Sequence, residues 1–193
     1  MLDLEAIELV PLEAAPPPDF RSSRKEQNEF LHGRAWDEQQ LGLSVTYLAL
    51  LSGIVVGYLT VTMDALPLQT SEKPASRLKI VRFPAIKLAQ LATRDSWEDR
   101  GIGKHLIALA AGMGLELRLK VGCRYLTLDA KRDRLDWYKR QEFKVNKVVR
   151  REQAERAKLR GIPLDELSVS MRLDLFSLLE DLHDAYPADF PRS

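Results

Sequence analysis

Two stretches of this 193-residue chain carry residue types that could do chemistry. The first is Leu88–Leu106, LAQLATRDSWEDRGIGKHL. An apolar run ends, a short polar loop follows, and Arg100-Gly101-Ile102-Gly103 opens a segment of helical periodicity. Gly101 and Gly103 lack side chains, so a ligand can come close to their backbone N–H groups. The first N–H groups of a helix have no partner within it and lie at the positive end of its dipole, which favours an anion. A phosphate or pyrophosphate at residues 100–104 is the expected ligand, with Lys104 adding charge; the other reading is a plain tight turn. The third glycine of a dinucleotide-binding fingerprint is absent. No Gly-Lys-Ser/Thr follows, so this is not a Walker loop.

The second stretch is Leu126–Phe143, LTLDAKRDRLDWYKRQEF. A strand leads to a short helix ending in Trp137-Tyr138, and a strand follows. A tyrosine hydroxyl facing a leaving group in a dry site is a competent general acid. The other reading of Tyr138 is an amphipathic core residue with its hydroxyl at the rim. Asp64 and Asp129 are candidate bases, directly or through water, and each could equally be a loop or surface carboxylate. Gln90 cannot serve, because an amide does not titrate. Cys123 has no histidine near it in sequence and reads as a buried thiol rather than a nucleophile.

The elements that must position these residues are legible from periodicity and turn chemistry. Ala6–Val10 reads as an edge strand before Pro11. Ser22 or Ser23 is placed to cap a helix running to about Gln40, with Trp36 packing it on the sheet. Ser44–Leu51 and Ile54–Met63, split by Ser52-Gly53, form a hairpin. Asp64–Arg77 reads as a loop. Lys79–Val81 and Ala85–Ala92 read as strand, broken at Pro84. Gly101–Lys120 is the strongest helix. Arg124–Asp129 is a strand, Arg132–Arg140 a short helix and Phe143–Val149 a strand. Arg150–Arg160 is a polar helix, Val169–Leu173 a strand and Leu175–Ala185 an amphipathic helix. The order predicts an α/β fold in one domain, with a mixed central sheet flanked by helices.

Together, the two stretches resemble the GNAT superfamily of acyl-CoA-dependent N-acyltransferases. The family's glycine loop, Gln/Arg-x-x-Gly-x-Gly/Ala, matches Glu98, Asp99, Arg100, Gly101, Ile102 and Gly103. The resemblance implies that backbone amides near Arg100–Lys104 hold the coenzyme A pyrophosphate. It also implies that main-chain groups of Leu91, Ala92 and Thr93 pair with the pantetheine arm like an added strand. Tyr138 falls where the family's tyrosine protonates the departing thiolate. Acetyl-CoA is the implied co-substrate, with no metal. The resemblance covers roughly residues 4–150, so residues 1–173 are expected to form a GNAT-like acyltransferase domain and 174–193 a C-terminal helical extension. More narrowly, the chain is similar to the branch containing toxin acetyltransferases, which modify the amine of aminoacyl-tRNA.

Three positions depart from the family's pattern. Glu98 stands where Gln or Arg is usual, with Asp99 next to it, and two carboxylates beside a pyrophosphate repel it unless they point away. Arg94, Arg100 and Lys104 are placed to compensate. Arg132 replaces the usual Asn of the late loop, and Glu142 the usual Gly before Phe143. The implied reaction is direct attack of an acceptor amine on the thioester. The alternatives are a non-catalytic coenzyme A-binding or partner-binding module, motivated by Glu98 and Asp99, and a toxin acetylating aminoacyl-tRNA. The acceptor is not legible, and could be a small molecule, a protein or aminoacyl-tRNA.

Composition narrows the field. The chain is 45% hydrophobic and 30% charged, with a net charge of +1, which excludes a globally basic nucleic-acid coat. One cysteine excludes an intrachain disulfide framework and a four-cysteine zinc site. No apolar run approaches the ~20 residues of a membrane helix. The start of the chain lacks a signal peptide's basic region. A cytoplasmic protein, with a homodimer possible through the last helix, is the expectation. The even balance hides a gradient: residues 118–160 carry 15 basic and 6 acidic side chains, and both ends are acidic. That basic segment either faces solvent and is neutralised by the termini, or meets a polyanion such as a cofactor phosphate or RNA.

Overall fold

The computed structural model describes residues 2–73, 79–80 and 82–185, with backbone alone over 181–185. The strands are β1 (Glu8–Pro11), β2 (Val45–Leu51), β3 (Ile54–Pro67), β4 (Arg82–Thr93), β5 (Tyr125–Ala130), β6 (Lys144–Val145) and β7 (Val169–Asp174). They form one mixed sheet in the order β1-β2-β3-β4-β5-β7-β6. The α-helices are α1 (Lys25–Gly33), α2 (Ala35–Gln40), α3 (Ile102–Lys120), α4 (Leu135–Lys139), α5 (Lys147–Arg160) and α6 (Leu175–Ala185). The predicted α/β class with a mixed central sheet is therefore the observed one. Two compact units divide the chain, the first comprising Met1–Met63 and Lys87–Gly112, the second Asp64–Ile86 and Met113–Ser193.

In the first unit β1 pairs antiparallel with β2, and β2 with β3. Ser52 and Gly53 both have positive φ, 50° and 77°, as a two-residue type I′ hairpin turn requires. The core is built on Tyr58, whose ring meets Phe20 edge-on at 5.6 Å and stacks with Phe30 at 6.5 Å. Its hydroxyl donates to the Gln27 carbonyl at 2.8 Å, so the buried phenol is satisfied. Trp36 packs against the same cluster, as expected. The expected single first helix is instead two, separated at Arg34 with φ −130°. Gly33, a poor helix former, immediately precedes the break. Neither Ser22 nor Ser23 caps it: Arg24 is the capping residue and has no side-chain cap bond, while the Ser22 hydroxyl donates to Gln27 Oε1 at 2.6 Å.

In the second unit β5 and β6 both pair antiparallel with β7. Phe83 meets Tyr125 edge-on at 5.9 Å within a cluster that includes Leu66 and Leu68. A Cβ on Gly114 would lie 2.5 Å from Leu175 Cδ1 and 3.1 Å from Ile86 Cγ2, so with a larger residue at this point of α3 the Leu175 side chain would have to shift. Arg172 of β7 forms a salt bridge with Glu72 at 3.0 Å, and also donates to Asn146 Oδ1 at 2.9 Å and the Val145 carbonyl at 3.1 Å.

Three strand expectations are corrected. The loop expected from Asp64 begins later, because β3 continues to Pro67 and buries Leu66; residues 74–77 of that loop lie outside the described residues. Lys79 and Ile80 are not in a strand, Val81 is not described, and β4 runs unbroken through Pro84. Proline's φ suits extended backbone, and the Pro84 carbonyl still accepts from the Arg124 N–H at 2.8 Å. The strand expected over Phe143–Val149 is cut to Lys144–Val145. Asn146, 1% exposed, donates its side-chain amide to Ser170 Oγ at 2.9 Å and takes the N-cap position of α5, so Val148 and Val149 are helical. The long run of Arg, Glu, Gln, Ala and Lys that follows favours helix more than two valines oppose it.

Candidate cofactor-binding and catalytic site

All ten residues matched to cofactor binding, Leu91, Ala92, Thr93 and Glu98–Lys104, belong to the first unit. β4 ends at Thr93, a single 3-10 turn covers Asp95–Trp97, and α3 begins at Ile102. Asp99 has φ 58° and Gly101 φ 85°, so two residues of this short loop adopt left-handed backbone. Such conformations turn successive N–H groups toward a common side. His105 donates to the Gly101 carbonyl at 3.0 Å, the first helical bond of α3. Among the described residues, the N–H groups of residues 99–104 have no backbone acceptor. Glycine suits position 101 because of its φ of 85°, which strains a residue with a Cβ; a Cβ there would also lie 3.3 Å from Leu4 Cδ1, a tight contact that the leucine end would have to yield to.

Side chains from the start of the chain brace this loop. The Ser23 hydroxyl donates to Glu98 Oε1 at 2.5 Å. Arg94 donates to the Val55 carbonyl at 2.6 Å and to Asp19 Oδ2 at 3.1 and 3.2 Å, with its guanidinium 5.4 Å from the Phe20 ring centre. Arg94 is thus committed to bracing the loop. Arg100 lies over the Trp97 ring at 4.9 Å, a cation–π contact that holds both residues on the loop. The Leu91 carbonyl accepts a bond from Gln27 Nε2. A Cβ on Gly57 would come within 2.7 Å of the Ala92 oxygen, so glycine lets β3 approach β4 closely at that point. These supports were missed in the sequence because Ser23 and Glu98, like Asp19 and Arg94, lie 75 residues apart. The Ser22-Ser23 pair carries only a local signal, that of a helix cap.

Tyr138 belongs to the second unit, on the last turn of α4. Its half-buried ring is held edge-on by Trp137 at 4.8 Å and by Phe143 at 5.7 Å. Its carbonyl accepts from the Phe143 N–H at 3.2 Å, which closes the turn after the helix. Glu142, in the position usually glycine, has φ 66°, so the left-handed backbone persists without the residue that suits it.

The two carboxylates considered as bases differ. Asp64 is engaged, accepting from Thr127 Oγ1 at 2.6 Å and from the Ala65 N–H at 2.7 Å. Asp129 is exposed on β5 opposite Ser170. Arg132 donates to the Leu164 carbonyl. Cys123 is 3% exposed, and burial pushes its thiol above the usual cysteine range, which suits the structural reading over the nucleophilic one. Among the described residues no group of three or more His, Cys, Asp or Glu could hold a metal, and no helix is long and apolar enough to cross a membrane.

The sheet order and the helix that opens after β4 define a GNAT-like fold. Solved structures share it. One, a bacterial toxin, superposes with a TM-score of 0.73 at 15% identity, over 92% of this chain and 95% of the other. Another is the toxin AtaT complexed with acetyl-methionyl-tRNA, with a TM-score of 0.69 at 17% identity over 89% and 96% of the two chains. A third is a tyrosine-to-phenylalanine variant of AtaT bound to acetyl-CoA and the C-terminus of its antitoxin AtaR, with a TM-score of 0.66 at 15% identity over 94% and 98%. No family model matches the chain.

Proposed function

We propose that this protein is an acetyl-CoA-dependent N-acetyltransferase whose acceptor is the amino group of an aminoacyl-tRNA. The observation that carries the first half is the loop before α3, where six consecutive N–H groups, residues 99–104, find no backbone acceptor among the described residues and two residues have left-handed backbone. A pyrophosphate supplies the missing acceptors, and the helix dipole adds to the attraction. Ile102 and Gly103 contribute first-turn N–H groups, and Lys104 adds a cation. Main-chain groups of Leu91, Ala92 and Thr93 meet the pantetheine arm, with the Leu91 carbonyl already taken by Gln27. The acceptor half rests on the fold shared with AtaT, solved with acetyl-methionyl-tRNA, and on the basic segment 118–160.

In the reaction the acceptor nitrogen attacks the thioester carbonyl. A C–N bond forms, the C–S bond breaks, and Tyr138 gives its proton to the leaving sulfur. The amine proton passes to water, from which Tyr138 is reprotonated. The test is release of free thiol from acetyl-CoA in the presence of charged tRNA, with mass detection of the N-acetylated aminoacyl group. Turnover with charged tRNA, and none with deacylated tRNA, is the expected result. A folded protein that does not bind acetyl-CoA would overturn the reading altogether.

A further inference from the structure

The second unit contains a cleft of about 90 Å³ lined by Arg132 of the 3-10 turn before α4, by Arg150, Gln153 and Ala154 of α5, and by residues of the segment that leads into β7. Arg132, Arg150, Gln153 and Ser168 give it a polar lining, and Leu164 and Val169 are among its apolar walls. The Oε1 atom of Gln153 is buried and, among the described residues, finds no donor. A buried acceptor left without a donor is costly, so a hydroxyl or N–H brought to it gains a hydrogen bond. Two guanidiniums in the same lining call for an anion within hydrogen-bond reach of that donor.

The helix bearing two of these groups is built for a polyanion. α5 carries six basic and two acidic side chains in 14 residues, and only Ala157 among them is buried. Lys147, Arg151 and Arg156 are exposed along with Arg150. A helix that buries so little is not explained by core packing, and its charge matches a phosphodiester backbone.

We infer that this cleft takes one ribose-phosphate unit of an RNA strand, with Arg132 and Arg150 on the phosphate and Gln153 Oε1 accepting from the ribose 2′-hydroxyl. The 2′-hydroxyl is the donor that RNA has and DNA lacks. The inference rests on the aminoacyl-tRNA reading above and deepens it, because it assigns where the acceptor's backbone is held.

The test uses the full chain and three variants, Arg150→Gln, Gln153→Leu and Lys25→Gln. Binding of a labelled deacylated tRNA and of a DNA of the same sequence is followed by fluorescence anisotropy over a range of salt. Thermal unfolding verifies that each variant is folded. The expected result is RNA preferred over DNA in the wild type. Arg150→Gln should weaken RNA binding roughly tenfold, the worth of one charge-assisted contact. It should also lower the slope of log K against log salt by about one. Gln153→Leu should lower RNA affinity and leave DNA affinity unchanged, while Lys25→Gln, the same charge lost from an exposed site in the first unit, should change neither. Wild-type RNA binding that Arg150→Gln and Gln153→Leu leave unaltered would overturn the cleft assignment and leave the acceptor reading standing. Equal binding of RNA and DNA in the wild type would also overturn the cleft assignment. Absence of RNA binding in the wild type would overturn the acceptor reading and the cleft together, and a separate acetyl-CoA titration shows whether the cofactor half survives.

Discussion

Glu72 and Arg172 form an ion pair at 3.0 Å in which the two side chains are only 7% and 8% exposed. Glu72 sits in a 3-10 turn after β3, and Arg172 in β7 opposite Thr127 of β5. The turn is thereby fixed to the sheet by a desolvated charge pair. Removing one partner strands the other charge. Arg172→Met is expected to cost about 3 kcal/mol or more of unfolding free energy, measured by urea titration. Arg172→Lys should cost less, because the charge survives and only the bonds to Asn146 and Val145 are lost.

Tyr138→Phe removes a hydroxyl and leaves the edge contacts with Trp137 and Phe143 in place. The variant should therefore fold and bind acetyl-CoA with unchanged affinity. Turnover should fall by roughly 10²–10⁴-fold, the usual worth of a positioned general acid. Steady-state kinetics beside calorimetric titration separates the two effects. Unchanged turnover would remove Tyr138 from the role.

Glu98→Gln tests the acidic loop by charge alone. The amide oxygen of glutamine can still accept from Ser23, so the loop keeps its shape. Losing one negative charge beside the proposed pyrophosphate site should tighten acetyl-CoA binding several-fold at low salt, and the difference should shrink as salt is raised. Titration at two ionic strengths reads both.

Glu142→Gly should raise stability by about 1 kcal/mol, because glycine adopts a φ of 66° without the penalty that a Cβ brings. An increased urea midpoint with an unchanged slope would confirm that the native backbone is retained.

Burial raises the pKa of the Cys123 thiol. The unfolded thiol loses its proton near its ordinary pKa of about 8.5, while the folded one keeps it. The unfolded state then binds fewer protons, so this group's contribution lowers stability as pH rises above that value. A Cys123→Ala comparison between pH 7 and 10 should show the wild type losing more stability over that interval. The native thiol should react slowly with alkylating reagents at pH 8 and promptly once unfolded.

Much of this protein was legible from local pattern. The hairpin at Ser52-Gly53, the long helix after Gly101 and the strand at Tyr125 each carry their signal within a few residues. What was lost depended on distant partners. Pro84 reads as a breaker until Arg124 is seen bonded to its carbonyl. Val148 and Val149 read as strand until buried Asn146 is seen to end β6 and open α5. In the same way, the glycine pair at the start of the long helix was legible locally, and the full loop Glu98–Gly103 came from the resemblance. Its bracing by Ser23 and Asp19 was not legible, since no periodicity links positions 75 apart.

That separation has a consequence during synthesis. Residues 19–23 leave the ribosome long before Arg94 and Glu98 exist, and closing a contact over 75 residues carries an entropy cost that local structure does not offset. The loop therefore takes its final shape late, after the hairpin of β2 and β3 is in place to offer the Val55 carbonyl to Arg94. A nascent chain shorter than about a hundred residues holds the glycines' future neighbours, Asp19 and Ser23, but neither Glu98 with Gly101 and Gly103 nor the helix they open, so the braced loop is completed only after that length has been made.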